Sequence, residues 1–173
     1  MSDKPTQDPF DRLAAAYDHM LNEVHEAFDS AREHAIPGLK QYLDDAREKM
    51  IELGELSREE ADKVAGYVER DMKDAAKYLL DTGEELSAWW HFDVQQVEKR
   101  MFEMFTSVAD QTKLELAKLA ERANQASLYH TGEITGPGTL VCSSCGKEMH
   151  FKKTGHIPPC PGCQSTEFRR RAE

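Results

Sequence analysis

Four cysteines are the residues of this chain best equipped for chemistry, and all of them lie between Val141 and Arg170. They form two C-x-x-C pairs, Cys142/Cys145 and Cys160/Cys163, separated by fourteen residues. A C-x-x-C turn brings two sulfurs toward one point and aims nearby backbone N–H groups at them. Two such turns complete a tetrahedron, so the spacing predicts one zinc ion per chain held by four thiolates. Four thiolates fill the coordination sphere and leave no place for an activated water, which makes the expected ion structural, not catalytic. Gly146 directly after Cys145 can take positive φ, and Pro161-Gly162 favours a tight turn inside the second pair. The second pair is followed by Gln164 instead of glycine, so that turn is expected to close differently.

Other uses of four cysteines fit less well. Two disulfides suit an oxidising compartment, and the polar N-terminal residues do not read as a signal peptide. A thioredoxin-like motif needs a strand-turn-helix setting around a single pair, which is not visible. A rubredoxin-like iron redox site uses similar turns, and ligand type alone does not separate tetrahedral iron from zinc. The short insert between the pairs leaves little chain to shield an iron centre, which favours zinc. His150 and His156 fall between the pairs, but four cysteines suffice, so both are expected at the surface.

These turns need strands to hold them. Weak alternation and the punctuation at Gly155 and Pro158-Pro159 predict short strands at 139–142, 148–153 and 166–170, forming a small antiparallel ribbon. Its apolar residues are few, chiefly Leu140, Phe151, Ile157 and Phe168, so metal binding must supply its stability.

Upstream the pattern is helical. Phe10, Leu13, Tyr17, Met20/Leu21, Val24, Phe28, Ala31 and Ala35 form one apolar stripe, with Asp8-Pro9 as its start. Pro37-Gly38 interrupts, and the stripe resumes out of phase at Ile36, Leu39, Leu43, Ala46, Met50 and Leu53. Ser57-Arg58-Glu59-Glu60 reads as a capping box opening a helix with Ala61, Val64, Val68, Met72, Ala75 and Leu79 on one face. Thr82-Gly83 stops it, and Thr82 with Glu85 predicts the cap of a third helix. That helix is expected to run from 84 to 128 through Leu86, Trp90, Val94, Val97, Met101, Met104/Phe105, Val108, Thr112, Leu116, Leu119 and Ala123, on the order of 65 Å. Trp89-Trp90-His91-Phe92 would then spread around most of a turn, so at least one aromatic is expected to be partly exposed or to meet another element; a partner-binding patch is one reading and packing between helices of the bundle the favoured one.

The predicted fold is therefore mainly α: long amphipathic helices in an antiparallel bundle or coiled coil, followed by a small C-terminal β zinc ribbon. The expected divisions are a flexible arm over 1–8, an acidic helical part over 9–128, a connector over 129–138 and the ribbon over 139–173. Across 173 residues, 31% charged content and 8% aromatic content fit an elongated helical protein, and no apolar run approaches the ~20 residues of a membrane span. A cytoplasmic protein is expected. From Gly136 onward the formal charge is +3, leaving −13 for the rest of a chain whose total is −10. Such acidic helices repel phosphate.

The runs Ala109-Asp110-Gln111-Thr112-Lys113-Leu114-Glu115, Tyr129-His130-Thr131-Gly132-Glu133 and Leu140-Val141-Cys142, with Cys145, Cys160-Pro161, Cys163 and Phe168-Arg169-Arg170, carry a resemblance. The chain resembles a family of bacterial zinc-ribbon-containing proteins with a helical N-terminal part and a C-terminal four-cysteine ribbon. Gly54-Glu55-Leu56-Ser57-Arg58 extends the likeness more loosely upstream. The resemblance implies zinc at the four cysteines and a cytoplasmic location, and it implies no enzyme activity.

No residue is nominated as catalytic. The residues three before His19, His25, His34, His91 and His130 are not carboxylates, so no di-iron Glu-x-x-His pair exists. There is also no phosphate-binding glycine loop, H-E-x-x-H or G-x-S-x-G. The expected function is a non-enzymatic, zinc-binding interaction or adaptor protein with a protein partner or self-association through its helices. In a sharper version, Asp71-Met72-Lys73-Asp74-Ala75-Ala76 is similar to the acidic tip motif of regulators that enter the secondary channel of bacterial RNA polymerase. Against it, the motif sits within the predicted helix and away from the Gly54 to Ser57 turn. The alternative is a nucleic-acid-binding or transcription-associated ribbon, with Lys152, Lys153 and Arg169 to Arg171 meeting phosphate and Phe151 or Phe168 stacking on a base.

Overall fold

A computed structural model of the protein describes residues 8–30, 38–90, 95, 97–118 and 127–171. Residues 1–7 of the arm expected over 1–8, the stripe positions Ala31, Ala35 and Ile36, the break at Pro37, the residues His91, Phe92 and Val94, and the stretch from Leu119 to Ala123 lie outside the described residues. The order is α1 (Pro9–Ser30), α2 (Leu39–Glu52), α3 (Arg58–Thr82), α4 (Leu86–Trp89) and α5 (Lys99–Lys118). Six strands follow: β1 (Leu128–His130), β2 (Ile134–Thr135), β3 (Gly138–Cys142), β4 (Glu148–Phe151), β5 (Gly155–His156) and β6 (Glu167–Arg170). The fold is mainly α with a small C-terminal β ribbon, as the periodicity predicts.

Local signals place the helix ends. The Asp8 carboxylate accepts from the Phe10 N–H at 2.8 Å and caps α1. At α3 the capping box is complete: Ser57 Oγ accepts from the Glu60 N–H, and the Glu60 carboxylate accepts from the Ser57 N–H. Replacing Ser57 by alanine is expected to cost about 1 kcal/mol in urea unfolding; no measurable loss would show that packing alone positions α3. Gly83 closes α3 in the left-handed conformation, φ 68°, with its N–H bonded to the Leu79 carbonyl.

The helices meet along their predicted stripes. Tyr17, Met20, Leu21 and Val24 of α1, Met50 of α2, and Ala61, Val64, Val68, Met72 and Ala75 of α3 are fully buried in one core. Lys49 pairs with Glu23, and Tyr42 packs edge-on to Phe28 at 4.6 Å, so α1 and α2 run antiparallel. Arg47 to Asp62 ties α2 to α3. α5 adds Met104, Phe105, Val108 and Ala109 against α1 and α3.

The third predicted helix is not continuous. Trp90 leaves α4 in a turn, and α5 begins at Lys99. The Thr82–Glu85 cap is also absent: α4 starts after Glu85 without a side-chain cap, and the Thr82 hydroxyl donates to the Tyr78 carbonyl and accepts from the Glu84 N–H. Adjacent tryptophans cannot share a face of a helix, but a chain that breaks after them can bury both. Trp89 is 1% and Trp90 0% exposed, so both meet another element, one of the outcomes expected of this aromatic run; His91 and Phe92 lie outside the described residues. The Trp90 Nε1–H donates to the Pro137 carbonyl at 2.8 Å, and the Thr139 hydroxyl donates to the Trp90 carbonyl at 2.7 Å. The tryptophans therefore pack between the helices and the ribbon.

The ribbon is a four-stranded antiparallel sheet in the order β1-β6-β3-β4, with a separate β2-β5 pair. β3, β4 and β6 match the predicted strands, whereas β1, β2 and β5 were not predicted. Residues 129–138, expected as a connector, supply β2 and most of β1. These strands are only two or three residues long, and their alternation is too short to stand out. Tyr129, Leu140, Ile157 and Phe168 are fully buried with Cys142 and Cys160 in a second small core; Phe151 is half-buried at its margin.

Candidate metal centre and the seam that holds it

Cys142 ends β3, and Cys145 lies three residues on in the turn to β4; Cys160 and Cys163 flank the turn that leads into β6. One Sγ from each lies within 4.8 Å of all the others, and the Cys142–Cys163 and Cys145–Cys160 sulfurs are each 3.6 Å apart. A tetrahedron with Zn–S bonds of ~2.3 Å has S···S edges of ~3.8 Å, so the four side chains already have the dimensions such an ion needs. Cys142 and Cys160 are buried, Cys145 and Cys163 exposed. The site thus has one face in the ribbon core and one toward solvent.

The two turns close alike. Gly146 N–H bonds to the Cys142 carbonyl at 3.0 Å with φ 75°, and Gln164 N–H bonds to the Cys160 carbonyl at 2.9 Å with φ 64°. Gln164 therefore occupies the left-handed conformation that Gly146 takes without cost, which corrects the expectation of a different closure. The hydrogen bond that shapes a sulfur-binding turn dictates this conformation whatever side chain is present. Gln164→Gly is expected to stabilise the ribbon by about 1 kcal/mol, raising the chelator concentration needed for half-release of metal. No change would show that Gln164 makes compensating contacts.

The sulfurs are electrostatically coupled. The Cys145 N–H, burial and the Ser144 N–H act on Cys142, and the hydrogen bonds prevail, lowering its thiol to about 6. At Cys163 the Ser165 N–H lowers the pKa, but partial desolvation and the three neighbouring sulfurs push it up to about 12. Four thiolates this close repel one another, and a divalent cation is what lets all four ionise together. The donor set fits a soft tetrahedral ion. His150 and His156 are exposed; His156 stacks on Phe10 at 4.3 Å, and His150 shares a hydrogen bond with Thr139. Among the described residues the four cysteines form the one group of three or more such side chains close enough to hold a metal.

The family described as a zinc-ribbon containing domain matches residues 26–172. The chain belongs to that family. It is similar to "Uncharacterized protein YbeL" of Escherichia coli strain K12 and to the proteins of the same name in the O6:H1 and O157:H7 strains. Each is 29% identical over 130 residues, which cover 75% of this chain and 79% of the relative. No solved structure matches. Family and geometry together support zinc binding at Cys142, Cys145, Cys160 and Cys163. Among the described residues no helix is long and apolar enough to cross a membrane.

A second cluster, which periodicity did not single out, joins ribbon and helices. Asp71 is fully buried on the core side of α3. Its Oδ2 accepts from the Tyr17 hydroxyl at 2.7 Å, the Gly136 N–H at 2.7 Å and the Thr135 hydroxyl at 3.1 Å. Its Oδ1 lies 3.2 Å from Arg70 Nε and 3.2 Å from Arg170 Nη2. One turn along, Asp74 accepts from the Ser127 hydroxyl at 2.7 Å and from the Tyr129 hydroxyl. Arg70 also donates to Glu133 and to the Ile134 carbonyl, and its guanidinium lies 3.8 Å from the centre of the Tyr129 ring. Arg170 stacks 4.8 Å from the Trp89 ring and packs so closely on Gly138 that a Cβ there would collide with its Nη1. Burial pushes Tyr17, Tyr129 and Asp74 up. Burial alone would lower Arg70 and Arg170, but the charge of Asp71 and the other acidic groups around them outweighs it and raises both.

Three sequence readings change here. Asp71 and Asp74 do not form an exposed acidic tip: they lie in the middle of α3, turned under the ribbon, so the likeness to secondary-channel regulators fails on placement. Arg170 and Phe168 are buried and so unavailable to nucleic acid, and Arg171 pairs with Glu148 at 2.6 Å, whereas Lys152, Lys153 and Arg169 of the same set stay exposed. Tyr129, Glu133 and Arg170, which carry the family resemblance, prove to be seam residues. One signal for Asp71 was present: a carboxylate three residues after Val68 and four before Ala75 falls on the apolar stripe of α3.

Proposed function

We propose that this protein is a non-enzymatic interaction or adaptor protein in which one structural zinc per chain folds a ribbon that is anchored on an acidic helical body. What carries the reading is where the chemically distinctive groups are committed. The metal-ligating set is all thiolate, with no ligand position left over for water or substrate. The ionisable groups at the seam are committed there, Asp71 to Arg70 and Arg170, and Asp74 to the Ser127 and Tyr129 hydroxyls. The charge facing solvent is the helical acidic excess, interrupted by i,i+4 pairs such as Glu59–Lys63 and Glu69–Lys73 that add little stability. A cytoplasmic location and a basic macromolecular partner, or self-association, complete the proposal.

Metal analysis with native mass spectrometry on protein purified from its host at low salt tests it. One zinc per chain and a reproducible partner released by raising salt is the expected result. One zinc and a defined homo-oligomer would make self-association the interaction. Iron in place of zinc would overturn the metal assignment and return an electron-transfer role.

A further inference from the structure

The geometry points to a metal-gated interaction surface: the ribbon is a detachable cover over an acidic-aromatic face of α3 and α4, and loss of the ion uncovers that face for an arginine-bearing segment. This rests on the zinc reading of the four cysteines, not on the adaptor reading.

The covered face is built of Asp71 and Asp74 with Tyr17, Trp89 and Trp90 beside them. Three of the five groups on Asp71 come from the C-terminal part of the chain, Thr135, Gly136 and Arg170, and both groups on Asp74 do, Ser127 and Tyr129. The other two groups on Asp71, Tyr17 and Arg70, belong to the helices.

The ion and the seam lie on the same two strands. In the β3–β6 pair, Cys142 stands opposite Phe168 and Leu140 opposite Arg170, so the metal turn and the Asp71 partner are two residue steps apart, roughly 7 Å. Phe168 fills the space between them with Tyr129 and Leu140. That small core contains two of the cysteines themselves and cannot keep the strands in register without the ion. The helices are in the opposite position: their core is continuous through α1, α2, α3 and α5, and Ile134 is the one residue C-terminal to α5 named in it among the described residues. Releasing the metal therefore loosens the ribbon while the helical body stands. The seam is already open along one edge, where a cleft of about 280 Å3 lies between Asp74, Lys77, Trp89 and Arg169 to Arg171.

The occupant of the uncovered face follows from what holds it in the closed state. Arg170 places its guanidinium against a buried carboxylate and over the Trp89 and Tyr129 rings, the combination that favours arginine over lysine. Once Arg170 withdraws, Asp71 and Asp74 offer two carboxylates one turn apart beside an indole, and an arginine from another chain restores the same contacts.

Trp89 and Trp90 are the two tryptophans of the protein, and both lie at the seam, so they report on it directly. The test follows tryptophan emission, far-ultraviolet circular dichroism and released zinc together while the full-length protein is stripped with a chelator. The expected result is a red shift and greater acrylamide quenching that track metal release, with the helical signal retained and both changes reversed by zinc. A peptide copying Thr166–Arg171 added to the metal-free protein should reverse the red shift, and the same peptide with Arg170→Met should not. Unchanged emission after verified zinc loss would overturn the gate, as would collapse of the helical signal together with the metal. Equal action of the two peptides would overturn the arginine assignment. Protein that contains no metal as purified would remove the zinc reading itself, a failure distinct from these.

Discussion

Serine at Cys142 and Cys160 is expected to abolish metal binding and to unfold the ribbon while leaving the helices folded. These two cysteines are the buried pair, so the change removes half the ligands and also puts hydroxyls in the small core around Leu140 and Phe168. Structural zinc sites carry apparent binding energies of roughly 10–16 kcal/mol, and in such domains that energy is the folding energy. The apolar side chains of the ribbon contribute about 1.5–3 kcal/mol each. Ordering the backbone, at about 1–2 kcal/mol per residue, more than offsets them. Nuclear magnetic resonance spectra of the variant should lose the dispersed signals of residues 128–171 and keep those of α1, α2, α3 and α5. A ribbon that stays ordered without metal would show that docking on the helices, not the ion, holds it together.

Asp71→Ala should produce the largest loss of any change in the helical part, about 3–5 kcal/mol. The carboxylate is fully buried and serves two guanidinium groups, two hydroxyls and a backbone N–H. Removing it leaves Arg70 and Arg170 as adjacent buried cations and strands the Gly136 N–H. Arg170→Met is the milder partner change, because methionine keeps much of the packing over Trp89 and leaves Asp71 with Arg70. Urea unfolding of both single variants and the double variant gives the coupling energy, which should be well above the few tenths of a kcal/mol expected for independent sites. A loss below about 1 kcal/mol for Asp71→Ala would mean that the network contributes no more than an exposed ion pair.

The two clusters differ in how far they could be read from the chain. Local rules suffice for the metal site because its ligands come as two short turns, each defined by three or four consecutive residues. The same holds for the Ser57–Glu60 box and the stop at Gly83, whose hydrogen bonds span a few positions. Gln164 marks where residue type misleads: glycine chemistry was absent, yet the turn took the glycine conformation because its hydrogen bond to Cys160 required it. The predicted long third helix failed for a related reason. Its apolar spacing fits a 3.6-residue period across Trp90, but a period says which side chains seek burial and not whether one straight element buries them.

By itself the sequence determined the four ligands and the class of ion they suit, the helical character of most of the chain, the stripes that face the core and the acidic imbalance between its parts. All of these follow from interactions within one turn or from periodicity along one element. Only the tertiary structure decided that the helix breaks after Trp90, that both tryptophans are buried and that Asp71 and Asp74 face the ribbon instead of solvent. Those outcomes depend on Tyr17, Arg70, Tyr129, Thr135 and Arg170 meeting across sequence separations of 35 to 65 residues or more. A buried charge is tolerated only when such partners arrive together, and no local pattern records their arrival.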